Sequence, residues 1–305
     1  MEHNNLKSKI TGCLLAGAIG NVFGSPFENM HYRDIEKKYG KRLITDILDP
    51  ALIETEDDCN VALVLCKTYL ENKKRINSFD YAEGWLKYID PSNLYLCCQN
   101  SYNLMKAGIS PQVTGALNLD TGAAIMAISP TGIYNACDPE QAYMDAIELT
   151  EIYARGIDVE VGAVFAAAIA EALKAKATVD SILNTILKMT PNKIINTYGF
   201  LKEVNLHEQV ERAIDISSRY DDIYKARGVL YDNFQTSWHP IDPVEVFIFT
   251  VAIFVISKGD IDNAIVWGAN IGRDSDTIAN LTGSLSGALS GAENIPERFI
   301  KQVGM

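Results

Sequence analysis

Glycine recurs at short intervals in two segments at opposite ends of the 305-residue chain. One group is spaced every four residues and so lies on one helix face: Gly283, Gly287 and Gly291. A second group crowds the first helical segment and its end: Gly12, Gly17, Gly20 and Gly24. Glycine inside a helix costs about 1 kcal/mol relative to alanine, and close approach to another helix backbone would justify that cost. We therefore expect these segments to draw the two ends of the chain into one core. A membrane-dimer motif is a weaker interpretation, because serines interrupt the stripe and an apolar span is missing.

Most of the chain has helical rather than strand periodicity, and the βαβ rhythm of a parallel sheet is absent. Internal repeats and linkers rich in Pro, Gly or Ser are also absent. We therefore predict an all-α fold, a single compact domain over residues 1–305. The predicted helices span residues 57–72, 140–153, 159–176, 180–190, 196–218 and 244–257.

Charge and composition limit the binding partners and the cellular compartment that we expect for this protein. A net charge of −12 argues against a nucleic-acid binder, which needs a basic face for phosphates. The longest apolar run, residues 244–256, contains Glu245 and is too short to span a bilayer, so we expect a buried helix and no membrane partner. The N-terminus shows no signal peptide and the six cysteines show no CxxC pair, which together predict a reduced, cytoplasmic protein.

Two acidic segments point to a metal site. Residues 272–277 (GRDSDT) place two carboxylates and a hydroxyl within four positions, and residues 56–58 (EDD) add three carboxylates. Such groups repel one another unless a cation or a proton shares the site. Oxygen donors with almost no nearby histidine favour Mg²⁺, Mn²⁺ or Ca²⁺ over zinc. Each segment also opens an apolar helix, so the two N-termini could aim five side chains at a pair of cations: Asp57, Asp58, Asp274, Asp276 and Thr277.

Plain helix capping is the alternative interpretation of both segments. Thr55 would cap the first helix, and Asp274 or Ser275 the second, with the acids favoured by the helix dipole.

Two further elements each have a functional and a purely structural interpretation. Residues 17–28 form a helix end with a glycine turn and Glu28, or simply a helix C-terminus. Residues 120–124 (DTGAA) form a candidate anion cradle, or an ordinary loop.

The order of these elements resembles the ADP-ribosylglycohydrolase family. The resemblance runs from Gly12 to Pro296 through GCLLAGAIGNVFGSPFE, TEDDCNVAL, DTGAAIMAISPTG and GRDSDTIANLTGSLSGALSGAENIP, the last being the most specific. It implies an all-α, orthogonally packed fold with two central divalent cations, Mg²⁺ first and Mn²⁺ second. The implied activity is hydrolysis of the glycosidic bond between ADP-ribose and a modified side chain or small acceptor.

The resemblance also assigns residues. It implies the metal ligands Glu56, Asp57, Asp58, Asp274, Asp276 and Thr277. Glu28 matches an acidic residue near the metals and the scissile ribose, and the general base is Glu28 or a clustered aspartate such as Asp57 or Asp276. The matching loop that approaches the diphosphate and ribose contributes Asp120, Thr121, Gly122 and Ala123.

This chain departs from the family pattern at several positions. Glu56 and Cys59 stand where threonine is usual, and Asn21 replaces a common aspartate. Ala127 occupies the place of a frequent arginine, and residues 153–158 lack a frequent histidine. Glu56 would add a carboxylate at the metals and change their charge environment, while Asp57, Asp58, Asp274 and Asp276 are intact. The other departures change the residues expected to recognise ADP-ribose.

Three alternatives to ADP-ribosyl hydrolysis remain open. The same fold could cleave a nucleoside or small N-riboside, which the missing arginine favours. A member that binds ligand without turnover is a second alternative, against which the intact carboxylates argue. Cysteine nucleophilic catalysis is the third, and the carboxylates beside Cys59 disfavour its thiolate. We expect a monomer acting on an ADP-ribosyl or ribosyl substrate, free or attached to protein.

Overall fold

The two glycine-bearing segments form helices that lie side by side at the centre of the fold. The structure is a computed structural model and describes residues 2–48, 56–197, 203–236 and 239–304. Helix α1 (Glu2–Gly24) packs along helix α16 (Ser275–Ser290). The prediction that these segments bring the chain ends together is confirmed.

The absence of side chains at the glycines permits this contact. A Cβ added to Gly20 would lie 2.1 Å from the carbonyl oxygen of Ala279, and one on Gly287 would lie 2.2 Å from that of Gly12. Gly291 differs from the other two members of its stripe. It ends α16 with φ +91°, and a Cβ added there would meet the Ser8 and Glu293 side chains.

The described residues form seventeen α-helices and one two-stranded sheet, which confirms the all-α fold class. Between α1 and α16, the first eight helices are α2 (Tyr32–Tyr39), α3 (Asp57–Asn72), α4 (Ser78–Tyr88), α5 (Leu96–Lys106), α6 (Pro111–Thr114), α7 (Ala123–Met126), α8 (Ser129–Tyr134) and α9 (Pro139–Thr150). The next six are α10 (Gly156–Ala172), α11 (Val179–Met189), α12 (Leu206–Ser217), α13 (Ile223–Phe234), α14 (Pro243–Ser257) and α15 (Ile261–Asn270), and α17 (Glu297–Gln302) follows α16. Short 3-10 turns cover Ser25–Phe27, Pro91–Asn93 and Ala292–Asn294.

The predicted helix over residues 196–218 is wrong in its first half. Strands β1 (Ile194–Asn196) and β2 (Glu203–Asn205) pair antiparallel, and residues 198–202 lie outside the described part. Helix α12 starts only after Asn205, whose side-chain oxygen accepts the Glu208 amide at 3.3 Å and caps the helix. The other predicted helices are present, with ends that differ by up to a few residues.

Two helices with almost no exposed face fill the core beside α16. They are α10, rich in alanine, and α14, which carries the longest apolar run of the sequence. By length and composition, Asn5–Phe27 is the one described stretch apolar enough to cross a membrane, with a mean hydropathy of 1.4. In this fold 61% of an 18-residue part of that stretch is buried inside the protein.

Candidate active site

A cavity of about 170 Å³ opens where α1, α3 and α16 begin or end. Both acidic segments and the DTGAA loop contribute to its wall, so elements far apart in sequence meet there. The lining residues are Glu28, Asn29, Glu56, Asp57, Asp58, Tyr95, Thr121, Gly122, Ala123, Met126, His239, Ile241, Asp274, Asp276 and Thr277.

Backbone pairing places Glu28 beside the second acidic segment. The Asn29 amide donates to the Arg273 carbonyl, and the Arg273 amide donates to the Met30 carbonyl, both at 2.7 Å. Gly272 allows this approach, since its φ is +75° and an added Cβ would lie 2.3 Å from the Met30 oxygen. The two strand-like stretches therefore hold Glu28 and Asp274 against each other.

Three carboxylates form the tightest acidic cluster in the described part of the chain. Glu28, Asp274 and Asp276 each offer an oxygen, and these oxygens lie within 4.8 Å of one another. Asp274 occupies the N-cap position of α16, yet its side chain makes no capping hydrogen bond. Ser275 also does not cap, because its hydroxyl donates to the Gly24 carbonyl at 2.9 Å. The capping interpretation of this segment is therefore wrong.

The first acidic segment also lines the cavity. Glu56 is the N-cap residue of α3 without a side-chain capping bond, and Thr55, the expected cap, lies outside the described residues. The Glu56 carboxylate accepts from the Ser25 hydroxyl. The Asp57 carboxylate accepts the Tyr95 amide at 3.4 Å. Asp58, buried, accepts from the Asn280 side-chain amide at 3.2 Å.

Asn280 and Asn21 are supports that the sequence analysis did not assign. The Asn280 amide group also donates to the Met126 carbonyl at 3.1 Å, which joins α16 to α7. A Cβ on Gly17 would lie 2.7 Å from the Asn280 side-chain oxygen, so the glycine makes room for this residue. Asn21 accepts the Glu56 amide at 3.3 Å and donates to Asp276 at 3.4 Å. The glycines of α1 thus serve both helix packing and the site.

Burial and mutual repulsion raise the pKa values of the clustered acids. Burial is the largest cause for each, followed by neighbouring carboxylates. The pKa of Asp276 rises to about 8, with Glu28 and Glu56 as the next causes. The pKa values of Asp58 and Asp274 lie well above the usual range, while that of Glu28 is raised by burial and by Glu56. Without a cation, Asp276 therefore retains a proton near neutral pH.

The Arg273 guanidinium points away from the cavity and pairs with a buried acid on α14. Its Nε lies 2.6 Å from Glu245 Oε1, and its Nη2 donates to the His239 carbonyl at 2.9 Å. His239 lines the cavity. The sequence does not predict this ion pair, because Glu245 stands there only as a charged position within an apolar run.

The Asp158 carboxylate accepts hydrogen bonds from two backbone amides of the DTGAA loop, residues 120–124. Its Oδ2 accepts the Thr121 amide and its Oδ1 accepts the Ala124 amide, both at 3.0 Å. The interpretation of this loop as a cradle with free amides therefore does not apply to these two groups. Thr121, Gly122 and Ala123 line the cavity, whereas Asp120 is buried and is not part of the lining.

Cysteine chemistry gains no support from the site. All six cysteines are free. Burial first, and then the carboxylates of Asp58 and Asp276, raise the pKa of the Cys59 thiol. The thiol therefore stays protonated at neutral pH.

Ala127, at the position of the frequent arginine, is only 1% exposed.

Comparison with known proteins gives a consistent match. The family model described as ADP-ribosylglycohydrolase matches residues 2–305. Uncharacterized protein YegU from Escherichia coli K12 is 26% identical, with 94% of this chain and 89% of that protein covered. An uncharacterized protein from Archaeoglobus fulgidus is 24% identical, with 97% and 92% covered.

Two further similar proteins have names that describe an activity or a family. ADP-ribosylarginine hydrolase Tri1 from Pseudomonas putida is 22% identical, with 96% of this chain and 73% of that protein covered. A solved structure described as an ADP-ribosylglycohydrolase-related protein complex superposes with a TM-score of 0.73 at 17% identity, covering 98% of this chain and 93% of the other. At this identity the superposition establishes a shared fold.

Proposed function

Because the chain belongs to the ADP-ribosylglycohydrolase family, we propose that it is a divalent-metal-dependent hydrolase acting at the glycosidic carbon of a ribose. The substrate proposed from the family is an ADP-ribosyl group on a side chain or small acceptor. Its relative Tri1 is named an ADP-ribosylarginine hydrolase, which makes an arginine-linked group the first to test. The single observation that carries the proposal is the Glu28–Asp274–Asp276 cluster in a cavity shared with the other acidic segment.

The donor set fits hard divalent cations. Carboxylate and hydroxyl oxygens are the ligands that Mg²⁺ and Mn²⁺ take in proteins. Asp276 Oδ1 is buried and has no hydrogen-bond partner among the described residues, which leaves an acceptor aimed into the site. We propose two cations, Mg²⁺ first and Mn²⁺ second, held by Glu56, Asp57, Asp58, Asp274, Asp276 and Thr277.

Glu28 is the preferred general base among the predicted catalytic residues. When bound, the cations would supply positive charge that orients ribose hydroxyls and acidifies water. Glu28 is half-buried, and the Asn29 side-chain amide donates to its carboxylate at 3.1 Å, which fixes its orientation toward the cluster. Its carboxylate would accept a proton from the attacking water, and the other acids would stabilise an oxocarbenium-like state. Asp57 and Asp276 remain the alternative bases.

Hydrolysis measured with and without metal tests this proposal. Purified protein is treated with EDTA, supplied with MgCl₂ or MnCl₂, and assayed for ADP-ribose release from ADP-ribosyl-arginine and base release from ribonucleosides. We expect activity on one substrate class only with metal, and a loss of about a hundredfold or more in Asp276→Asn. Asp221→Asn, which alters an exposed acid paired with Lys225, serves as the control that keeps activity. Full activity in EDTA, or in Asp276→Asn, would contradict the proposal.

Four other expectations stand as proposals beside this one. We propose one domain over residues 1–305, a monomeric state, a cytoplasmic location, and partners that exclude nucleic acid and membrane. The intact carboxylates that line the cavity support an enzyme rather than a member that only binds ligand.

A further inference from the structure

We propose that His239 is a catalytic residue of this site, and that its imidazole donates a proton to the leaving group as the glycosidic bond breaks. This role rests on the proposed function, because it completes the hydrolysis proposed for the same cavity. Three observations support it: the position of His239 in the cavity wall, the roles of the surrounding carboxylates, and the contacts that hold the His239 backbone.

His239 differs chemically from the rest of the cavity wall. It is half-buried, and it is the one described lining residue whose side chain is a nitrogen base. Imidazole is the side chain that most often exchanges a proton near neutral pH, and it is the commonest general acid or base in enzymes. Six other lining residues carry a carboxyl group: Glu28, Glu56, Asp57, Asp58, Asp274 and Asp276.

Hydrolysis of a glycosidic bond by direct attack of water uses two proton-transferring groups. One accepts a proton from the water, and the other donates a proton to the leaving atom. Glu28 is the proposed base, and the other five carboxylates are proposed metal ligands, which must be deprotonated to bind a cation. These carboxyl groups therefore leave the proton donor unassigned, and His239 fills that role.

Tyr95 has the most acidic of the hydroxyl groups that line the cavity, since the others belong to threonines. Burial first, and then the charges of Cys97, Glu28 and Asp274, raise the pKa of its phenol. A general acid works best when its pKa is close to the working pH. The shift moves the Tyr95 phenol further from that range, which favours His239 as the donor.

Arg273 connects the backbone of His239 to the acidic cluster. Its Nη2 donates to the His239 carbonyl at 2.9 Å. Its own carbonyl accepts the Asn29 amide at 2.7 Å, directly after Glu28 in the chain. One residue thus joins the segment that carries the proposed base to the segment that carries the proposed acid, and the same residue directly precedes Asp274.

Glu245 strengthens this connection. Its Oε1 accepts from Arg273 Nε at 2.6 Å. Its Oε2 accepts the Thr236 amide at 2.8 Å and the Thr236 hydroxyl at 3.1 Å. The buried ion pair therefore binds both Thr236 and the His239 carbonyl, so the backbone that carries the imidazole is fixed at the cavity.

The proposed step conserves atoms and charge. The bond between ribose C1 and the leaving oxygen or nitrogen breaks, and its electron pair stays on the leaving atom. That atom takes a proton from the His239 imidazolium, which becomes neutral imidazole. The oxygen of water bonds to C1, and Glu28 accepts one proton from that water. Exchange of protons with solvent then restores both side chains.

A comparison of leaving groups tests the role of His239. Wild type and His239→Gln, both loaded with Mn²⁺, are assayed on ADP-ribosyl-arginine and ADP-ribosyl-serine, whose leaving groups are strongly basic. They are also assayed on ADP-ribose linked at C1 to 4-nitrophenol, which leaves without a proton. We expect His239→Gln to lose about a hundredfold in kcat/KM on the basic leaving group that wild type releases, and less than about fivefold on the nitrophenyl compound. Equal losses on the two kinds of substrate, or no loss on either, would overturn the proposal.

Matched variants and a binding measurement separate this role from others. His207→Gln changes a histidine on α12 that pairs with Glu211 and does not line the cavity, so it should match wild type on every substrate. His239→Ala is a second variant, and free imidazole should restore part of its activity on the basic leaving group. Titration calorimetry with Mn²⁺ should give folded His239→Gln the affinity of wild type, whereas a loss of about tenfold or more would make the imidazole a metal ligand and overturn the proposal. Wild type that cleaves none of the three compounds would defeat the proposed function as well.

Discussion

Arg273 and Glu245 form a buried, two-pronged ion pair between the second acidic segment and α14. Nε lies 2.6 Å from Oε1, and Nη2 lies 3.2 Å from Oε2. Arg273 also has a left-handed backbone, with φ +64°, directly before Asp274. The ion pair thus holds a strained residue whose neighbour points into the cluster.

Removing Glu245 should destabilise the protein strongly. Glu245→Ala leaves the buried guanidinium without its carboxylate, and losing one partner of such a pair costs about 3–5 kcal/mol. Urea unfolding measures the difference. Glu297→Ala, which breaks an exposed pair with Lys301, should change the free energy of unfolding by no measurable amount. Equal stabilities for the two variants would contradict a structural role for the Arg273 pair.

Gly20→Ala should disrupt the contact between α1 and α16. The new Cβ would lie 2.1 Å from a backbone oxygen that cannot move alone, so we expect a loss of about 1–3 kcal/mol or more. Gly228→Ala is the matched control, because its Cβ would meet the Tyr32 hydroxyl at 3.4 Å. That helical glycine should tolerate alanine or gain up to about 1 kcal/mol. Thermal denaturation separates the two, and similar melting temperatures would show that the glycines do not set the helix spacing.

The folded core and the site differ in how far sequence predicts them. Glycine spacing and apolar periodicity are local, so they predict the α1–α16 contact and most helices. The acidic segments predict that their carboxylates line one cavity, because both open apolar helices. Glu28, the third member of the tight cluster, belongs to neither segment. Asn280, Asp158 and Glu245 act through partners on other helices, and nothing in their local sequence encodes those partners. The β1–β2 pairing escaped prediction because three-residue strands carry too few positions to show alternation.

Asn280→Ala should weaken metal binding by about 10–100-fold, the range for residues that orient ligands. Its amide holds Asp58 and links that aspartate to the Met126 carbonyl. Asn294→Ala removes an exposed asparagine that donates to the Ser290 carbonyl, and it should bind metal as wild type does. Titration calorimetry with Mn²⁺ compares them. Equal affinities would mean that Asp58 needs no support from α16.

Asp158 should make the stability of metal-free protein depend on pH. Burial raises its pKa to about 7, above about 3.9 for an unfolded aspartate. Between these values the folded state holds a proton that the unfolded state has released, so its contribution to stability falls as pH rises from about 4 to about 7. In Asp158→Asn the fall should be shallower. Urea unfolding in EDTA between pH 5 and pH 7 measures this, and parallel curves for the two proteins would refute it.

Metal binding by the acidic cluster is the central claim, and calorimetry of metal-free protein tests it directly. Mn²⁺ is titrated into wild type and into the Asp274→Asn, Asp276→Asn double variant, after circular dichroism has confirmed that both are folded. We expect two bound ions per wild-type chain and a loss of about a hundredfold or more in affinity for the variant. Unchanged affinity in a folded double variant would contradict it.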